Sequence, residues 1–260
     1  FGWRPSLLAV GVACLAAVIL AAAFTWNILT KKISGSRTSV FPAVRRILSN
    51  RTSYSVILCS TVVFGNFFLM QAIIGKKLLE DCCGLNSGAA ASYTFLLMLV
   101  SMSASVFSGF FSKMIGNRRR PVIIAASFLA VLAPCAGLLI LKASPVWILP
   151  CYLLFGLSSG GTPIFSSTIK EMNDSGYAAS AVGVGNAAAY LSIAVYATLS
   201  GIVLDKFTAQ AVRVEGAIHY PPQAYAVIFT GLLVLSVLAF IGSFYIKETY
   251  GKNIWVPKAK

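Results

Sequence analysis

Long apolar runs separated by short polar connections dominate the chain. They lie at approximately 5–30, 52–74, 87–111, 121–141, 146–169, 177–204 and 223–246. Each is long enough for a helix to cross roughly 30 Å of hydrocarbon, which takes about 20 mainly apolar residues. None holds Asp, Glu, Lys, Arg or His in its core; the ionisable residues sit in connections or at span ends. The runs are continuously apolar, whereas outer-membrane strands alternate over about 10 residues. Hydrocarbon also requires each backbone N–H and C=O to be satisfied within the segment. The pattern therefore predicts an all-α polytopic membrane protein with seven transmembrane helices.

Composition narrows the class further. The 260 residues are 58% hydrophobic and only 11% charged, whereas soluble domains carry about a quarter charged residues. So few charges cannot clothe a water-soluble surface, and the apolar excess excludes disorder. The net charge of +14 suggests nucleic acid until its distribution is read. The connections at 31–51, 112–120 and 170–176, with the tail from 247, hold 15 of the 21 basic residues; the opposite set holds 6. Cytoplasmic loops are the Lys/Arg-rich ones, so this set and the C-terminus are expected inside, with Phe1 outside. The charge belongs to one membrane face, and nucleic acid is not an expected partner.

Residues 5–30 do not read as a signal peptide. The apolar run exceeds the ~7–15 residues of a signal core, and its positive charges, Lys31 and Lys32, follow the run. The chain starts on Phe and enters a span at once, so a piece of a longer protein is expected, lacking preceding N-terminal helices. Cys14, Cys59, Cys135 and Cys151 fall in spans as small apolar residues. Cys82 and Cys83 are adjacent, without the spacing of a zinc site. No metal or cofactor is expected, and His219 reads as a solvated loop residue.

With charge absent from the spans, uncharged polar residues carry the information. Span two holds Thr61, Asn66 and Gln71; span three holds Thr94, Ser101, Ser105 and Ser108 on one helical face. Span five places Ser158, Thr162 and Ser166 at four-residue intervals, and its Gly160-Gly161-Thr162-Pro163 predicts a bend, because proline removes a backbone hydrogen bond. Span six places Asn186 and Tyr190 on one face. Ser, Thr and Gly in spans commonly serve close helix packing, so each serine has that alternative reading. Carboxamides need partners in hydrocarbon, which leaves Asn66, Gln71 and Asn186 divided between packing and solute contact. Spans one, four and seven read as peripheral supports.

The connection after span three runs Gly109-Phe-Phe-Ser-Lys113-Met114-Ile-Gly116-Asn117-Arg118-Arg119-Arg120-Pro121. It resembles the G-x-x-x-D-[RK]-x-G-[RK]-[RK] loop of the major facilitator superfamily, in the degenerate copy after that family's eighth helix. Gly109, Gly116, Arg118 and Arg119 fit. Lys113 stands at the acidic position, and Met114 and Asn117 at basic ones, so the loop lacks that carboxylate. Gly2-Trp3-Arg4 resembles the family's entry to its sixth helix, and 31–51, with Phe41-Pro-Ala-Val-Arg45-Arg46-Ile-Leu, its basic cytoplasmic linker. Gly201-Ile-Val-Leu-Asp205-Lys206 resembles the end of its eleventh helix.

The resemblance implies helices six to twelve of a secondary transporter. Residues 1–30 would be one helix of a truncated N-terminal bundle, 31–51 a linker, 52–246 a six-helix C-terminal bundle and 247–260 a cytoplasmic tail. It implies transport of a small solute by alternating access in a cell membrane, either plasma or bacterial inner. Spans two, three, five and six would line the cavity, with Asn66, Gln71, Ser101, Ser105, Ser158, Thr162, Asn186 and Tyr190 as candidate contacts. Gly109, Gly116, Gly160, Gly161, Pro163 and Gly201 would serve packing or bending. The alternative is a seven-helix receptor or sensor. An enzyme is not expected, because the spans offer no acid, base or metal ligand set.

Overall fold

A computed structural model describes residues 3–29, 40–141, 145–214 and 217–256. Its helices are α1 (Trp3–Leu29), α2 (Val40–Leu48), α3 (Tyr54–Phe68), α4 (Gly75–Cys83), α5 (Ser87–Met114), α6 (Arg120–Ile140), α7 (Ile148–Ser159), α8 (Thr162–Glu171), α9 (Ala178–Lys206) and α10 (Pro222–Ser243). Among the described residues, seven stretches are long and apolar enough to cross a membrane, one in each apolar run. The chain divides into a unit at 1–39, which contains α1, and a unit at 40–260. Part of the 31–51 linker, 31–39, lies outside the described residues.

Local chemistry sets the ends of the helices. Asn86 caps α5, its side chain accepting from the Ala89 N–H at 2.8 Å. Pro121 and Pro222 occupy first-turn positions of α6 and α10, where no intrahelical N–H is needed. Gly84 closes α4 in the left-handed conformation (φ +63°), which a side chain adopts only with strain. Gly116 (φ +77°) and Asn117 (φ +58°) turn the chain between α5 and α6.

In the second unit, α3 packs against α9 and α10, α6 against α7 and α10, α5 against α7, and α8 against α9. One apolar cluster gathers Met70, Leu78, Tyr152, Phe155, Tyr225 and Phe229. A second, toward α2, gathers Ile47, Val56, Val63, Ile123, Phe165 and Ile246. Lipid tails are as apolar as leucine, so helices associate in a membrane by close packing rather than by leaving water. The seams follow that rule. A Cβ on Gly156 would sit 2.9 Å from the Leu97 carbonyl oxygen, and one on Gly160 only 2.3 Å from the Ala104 Cβ. Gly65 lies as close to Tyr196, and Gly137 to Phe229.

Two features of the spans depart from straight helix. The fifth span breaks at Gly160–Gly161. Pro163 has no N–H to give the Ser159 carbonyl, and the Thr162 hydroxyl donates to that oxygen instead, at 2.6 Å. The second span ends in a π-helical turn, Leu69–Ile73, that contains Gln71. Gly75 follows, so close to the Met70 carbonyl oxygen that a Cβ would lie 1.9 Å from it. Tyr152 donates to the Gly75 carbonyl at 2.6 Å and holds the bend.

One expectation is corrected, and two connections carry elements of their own. Span seven is not only a peripheral support, since α10 delivers the buried Ser236 to α3. The connection at 75–86 holds the amphipathic helix α4. Between α9 and α10, strand β1 (Val212–Val214) pairs antiparallel with β2 (Ala217–His219).

The α5–α7 seam sets the first prediction. Gly160→Val forces atoms into Ala104 and is expected to destabilise the protein by roughly 1–3 kcal/mol. Gly231→Ala adds a methyl where nothing lies within 4 Å and is expected to shift stability by under about 1 kcal/mol, in the favourable direction. Thermal unfolding of the purified protein in detergent compares them.

Candidate functional site

The polar residues of the spans fall into two groups. Three are consumed by the bundle itself. Asn66 is fully buried and its amide donates to the Ser236 hydroxyl at 2.8 Å, tying α3 to α10. Its carbonyl oxygen has no hydrogen-bond partner among the described residues. Ser158 is also fully buried, donating to the Phe155 carbonyl of its own helix at 2.9 Å. Ser101 accepts from Ser159 at 2.7 Å and cross-links α5 to α7. The buried positions of Asn66 and Ser158 follow from helix rotation, which a list of polar residues does not contain.

The second group keeps access to the bundle surface. Asn186 is exposed on α9, and Tyr190, one turn further along, is 61% exposed. The Tyr190 ring meets Phe64 of α3 edge-on at 5.4 Å, which steadies the phenol while leaving the face of the helix open. Gln71, Ser105 and Thr162 are half-buried. Gln71 sits on the π-helical turn, a distortion that recurs at functional sites.

The glycines also separate. Gly160 and Gly161 are packing positions against Ala104 and Ala126, immediately before Pro163. A Cβ on Gly109 or Gly201 would meet nothing within 4 Å, so among the described residues neither is a close-packing point. Gly116 serves the turn through its positive φ.

Away from the polar spans, the α5–α6 loop is tied down by charge. Arg119 reaches Glu171 at the end of α8, at 3.0 Å, and donates to the Ser112 hydroxyl at 2.9 Å. Glu248, beyond α10, accepts from the backbone N–H groups of Arg119 at 2.7 Å and Arg120 at 3.1 Å. This caps the N-terminus of α6 with a carboxylate, where the helix dipole favours negative charge. Thr249 adds a bond to Glu171 at 2.6 Å, and the Ile254 N–H binds the Glu171 carbonyl at 2.9 Å. Arg118 is exposed, its guanidinium 6.0 Å from the Tyr250 ring centroid. The loop itself lacks an acid at Lys113, but Glu171 and Glu248 come from two other connections. The sequence reading missed them because their partners lie 52 and 129 residues away.

At the opposite end, the Asp81 side chain is fully buried and meets Lys77 at 2.7 Å, His219 Nδ1 at 2.9 Å and the Tyr225 hydroxyl at 2.7 Å. His219 is thus an Asp81 partner and not a solvated loop residue. The pairing of β1 with β2 brings it there. Burial first, then the charges of Cys83 and Asp81, push the Cys82 thiol up to about 12, so it stays protonated at neutral pH. No cluster of potential metal ligands occurs among the described residues.

The family model of the Major Facilitator Superfamily matches residues 1–197, and the chain belongs to that superfamily. It is a membrane transporter of the major facilitator type, integral and multi-pass, with a solute and the lipid bilayer as its partners. The receptor or sensor alternative gives way to this assignment. A search of curated proteins returned no match.

The Arg119 cluster supplies the second prediction. Arg119 and Glu171 are 15% and 11% exposed, so Arg119→Met strands a largely buried carboxylate. The expected loss is about 2–4 kcal/mol of stability. Arg119→Lys keeps the charge but loses the forked geometry and should lie between wild type and Arg119→Met in a thermal-unfolding series.

Proposed function

We propose that the protein moves a small neutral or weakly charged solute by alternating access, with Gln71, Ser105, Thr162, Asn186 and Tyr190 contributing contacts from this half of the transporter. The observation that carries the reading is the division of the polar residues. Asn186 and Tyr190 stay open on one face of α9, whereas Asn66 is committed to Ser236. A polar pair without a side-chain hydrogen bond to a neighbouring helix among the described residues is available to replace a solute's hydration.

The spans have no Lys or Arg in their cores, which favours a solute without strong negative charge. In this reading the chain corresponds to helices six to twelve, preceded by further helices that complete the cavity. The face carrying α2 and the C-terminal tail is cytoplasmic, as its excess of Lys and Arg supports. The break at Gly160–Gly161, relieved by Thr162, is where α7 and α8 change their relative angle as exposure switches.

A solute-uptake screen with the full-length protein tests this. Asn186→Ala and Tyr190→Phe are each expected to raise KM roughly three- to tenfold, the value of one or two lost hydrogen bonds, with normal expression and unfolding. Asn66→Leu should instead lower thermal stability. Unchanged uptake in both α9 variants, in well-expressed protein, would remove α9 from the site.

A further inference from the structure

On the α2 face of the bundle lies a cavity of about 420 Å³, with Arg46, Ser49, Asn50, Thr52, Lys247 and Trp255 in its lining. We infer that it binds the phosphate of an anionic phospholipid headgroup between Arg46 and Lys247. This goes beyond the solute site and does not depend on it.

The first support is charge. The lining contains two cations and no carboxylate. Arg46 is oriented before any ligand arrives: its guanidinium pairs with Asp174 at 3.2 Å and lies 4.8 Å from the Trp255 ring centroid and 5.4 Å from that of Tyr177. A guanidinium has five N–H donors, and one ion pair leaves donors to spare. Lys247 is exposed and has no carboxylate partner among the described residues. Asp174 neutralises one of the two cations, so a positive charge remains for an anion. The hydroxyls are spent locally, Ser49 on the Arg45 carbonyl at 2.8 Å and Thr52 on Asn50 at 2.5 Å. Recognition therefore falls to the cations, which suits phosphate.

The second support is what borders the cavity. Helix α2 turns Ala43 and Ile47 into the bundle. Its other face exposes Phe41 (87%) and Leu48 (51%), seven residues apart and so on one side of the helix, with Arg45 between them. Tyr54, also exposed, donates to the Leu48 carbonyl and fixes the end of α2. Exposed apolar side chains interleaved with arginines are the pattern of a helix lying in the headgroup–acyl boundary. Phe41 and Leu48 can enter the acyl region while Arg46 and Lys247 face the phosphate layer. A free phosphate ester would make no use of them, so the occupant is a lipid.

The test measures the shift in unfolding temperature of the purified full-length protein, titrated in detergent with dioctanoyl phosphatidic acid, dioctanoyl phosphatidylcholine or glycerol phosphate. Phosphatidic acid is expected to stabilise the protein saturably, with little effect from the other two. Lys247→Gln should weaken the apparent affinity about fivefold, as removal of one interfacial cation implies. Lys252→Gln, in the same tail but outside the cavity, should leave it unchanged. Equal effects of phosphatidic acid and phosphatidylcholine, or a Lys247→Gln protein that binds like wild type, would overturn the site. Glycerol phosphate acting as strongly as phosphatidic acid would overturn the lipid as its occupant.

Discussion

Hydrocarbon supplies neither hydrogen bonds nor a hydrophobic force between helices, and the rest of the structure answers to that double lack. Each backbone group must be satisfied within its span, and each helix pair must hold by contact. The seams of the bundle therefore run through glycine and alanine: Gly156 and Gly160 on Leu97 and Ala104, Gly161 on Ala126, Gly65 on Tyr196. Where a carboxamide enters the core, as Asn66 does, a hydroxyl from another helix meets it. The same rule governs the break in span five, where the carbonyl orphaned by Pro163 takes a hydrogen bond from Thr162. An irregularity persists in lipid only where something nearby repairs it.

Charge is confined to the two ends, and there it works as connection. On one face, Glu171 and Glu248 draw the α5–α6 turn, the end of α8 and the tail into one network around Arg119. On the other, Asp81 gathers α4, the β1–β2 pair and the head of α10 through Lys77, His219 and Tyr225. The bundle is thus tied at both rims by ionic contacts while its middle is held by shape. Between the rims, Asn186 of α9 stays exposed while Asn66 of α3 is fully buried.

Much of this was legible in the chain. Run length located the spans, since a helix needs a set number of residues to cross and a charge in the core is costly. The glycines and Pro163 located the break. The loop at 109–120 pointed to the superfamily even with Lys113 at its acidic position. The residues that complete that loop were not legible, because Glu171 and Glu248 are ordinary loop acids until folding brings them to Arg119. His219 was misread for the same reason.

By itself, the sequence determined the class of protein, the number of spans and which of them carry polar residues. Those properties are local: they depend on composition and period along one segment. Only the tertiary structure decided which polar residue faces where. Asn66 and Asn186 are the same side chain in equally apolar spans, yet one is buried against Ser236 and the other is open. The difference is the rotation of each helix about its axis, set by the packing of small residues on neighbours more than a hundred positions away.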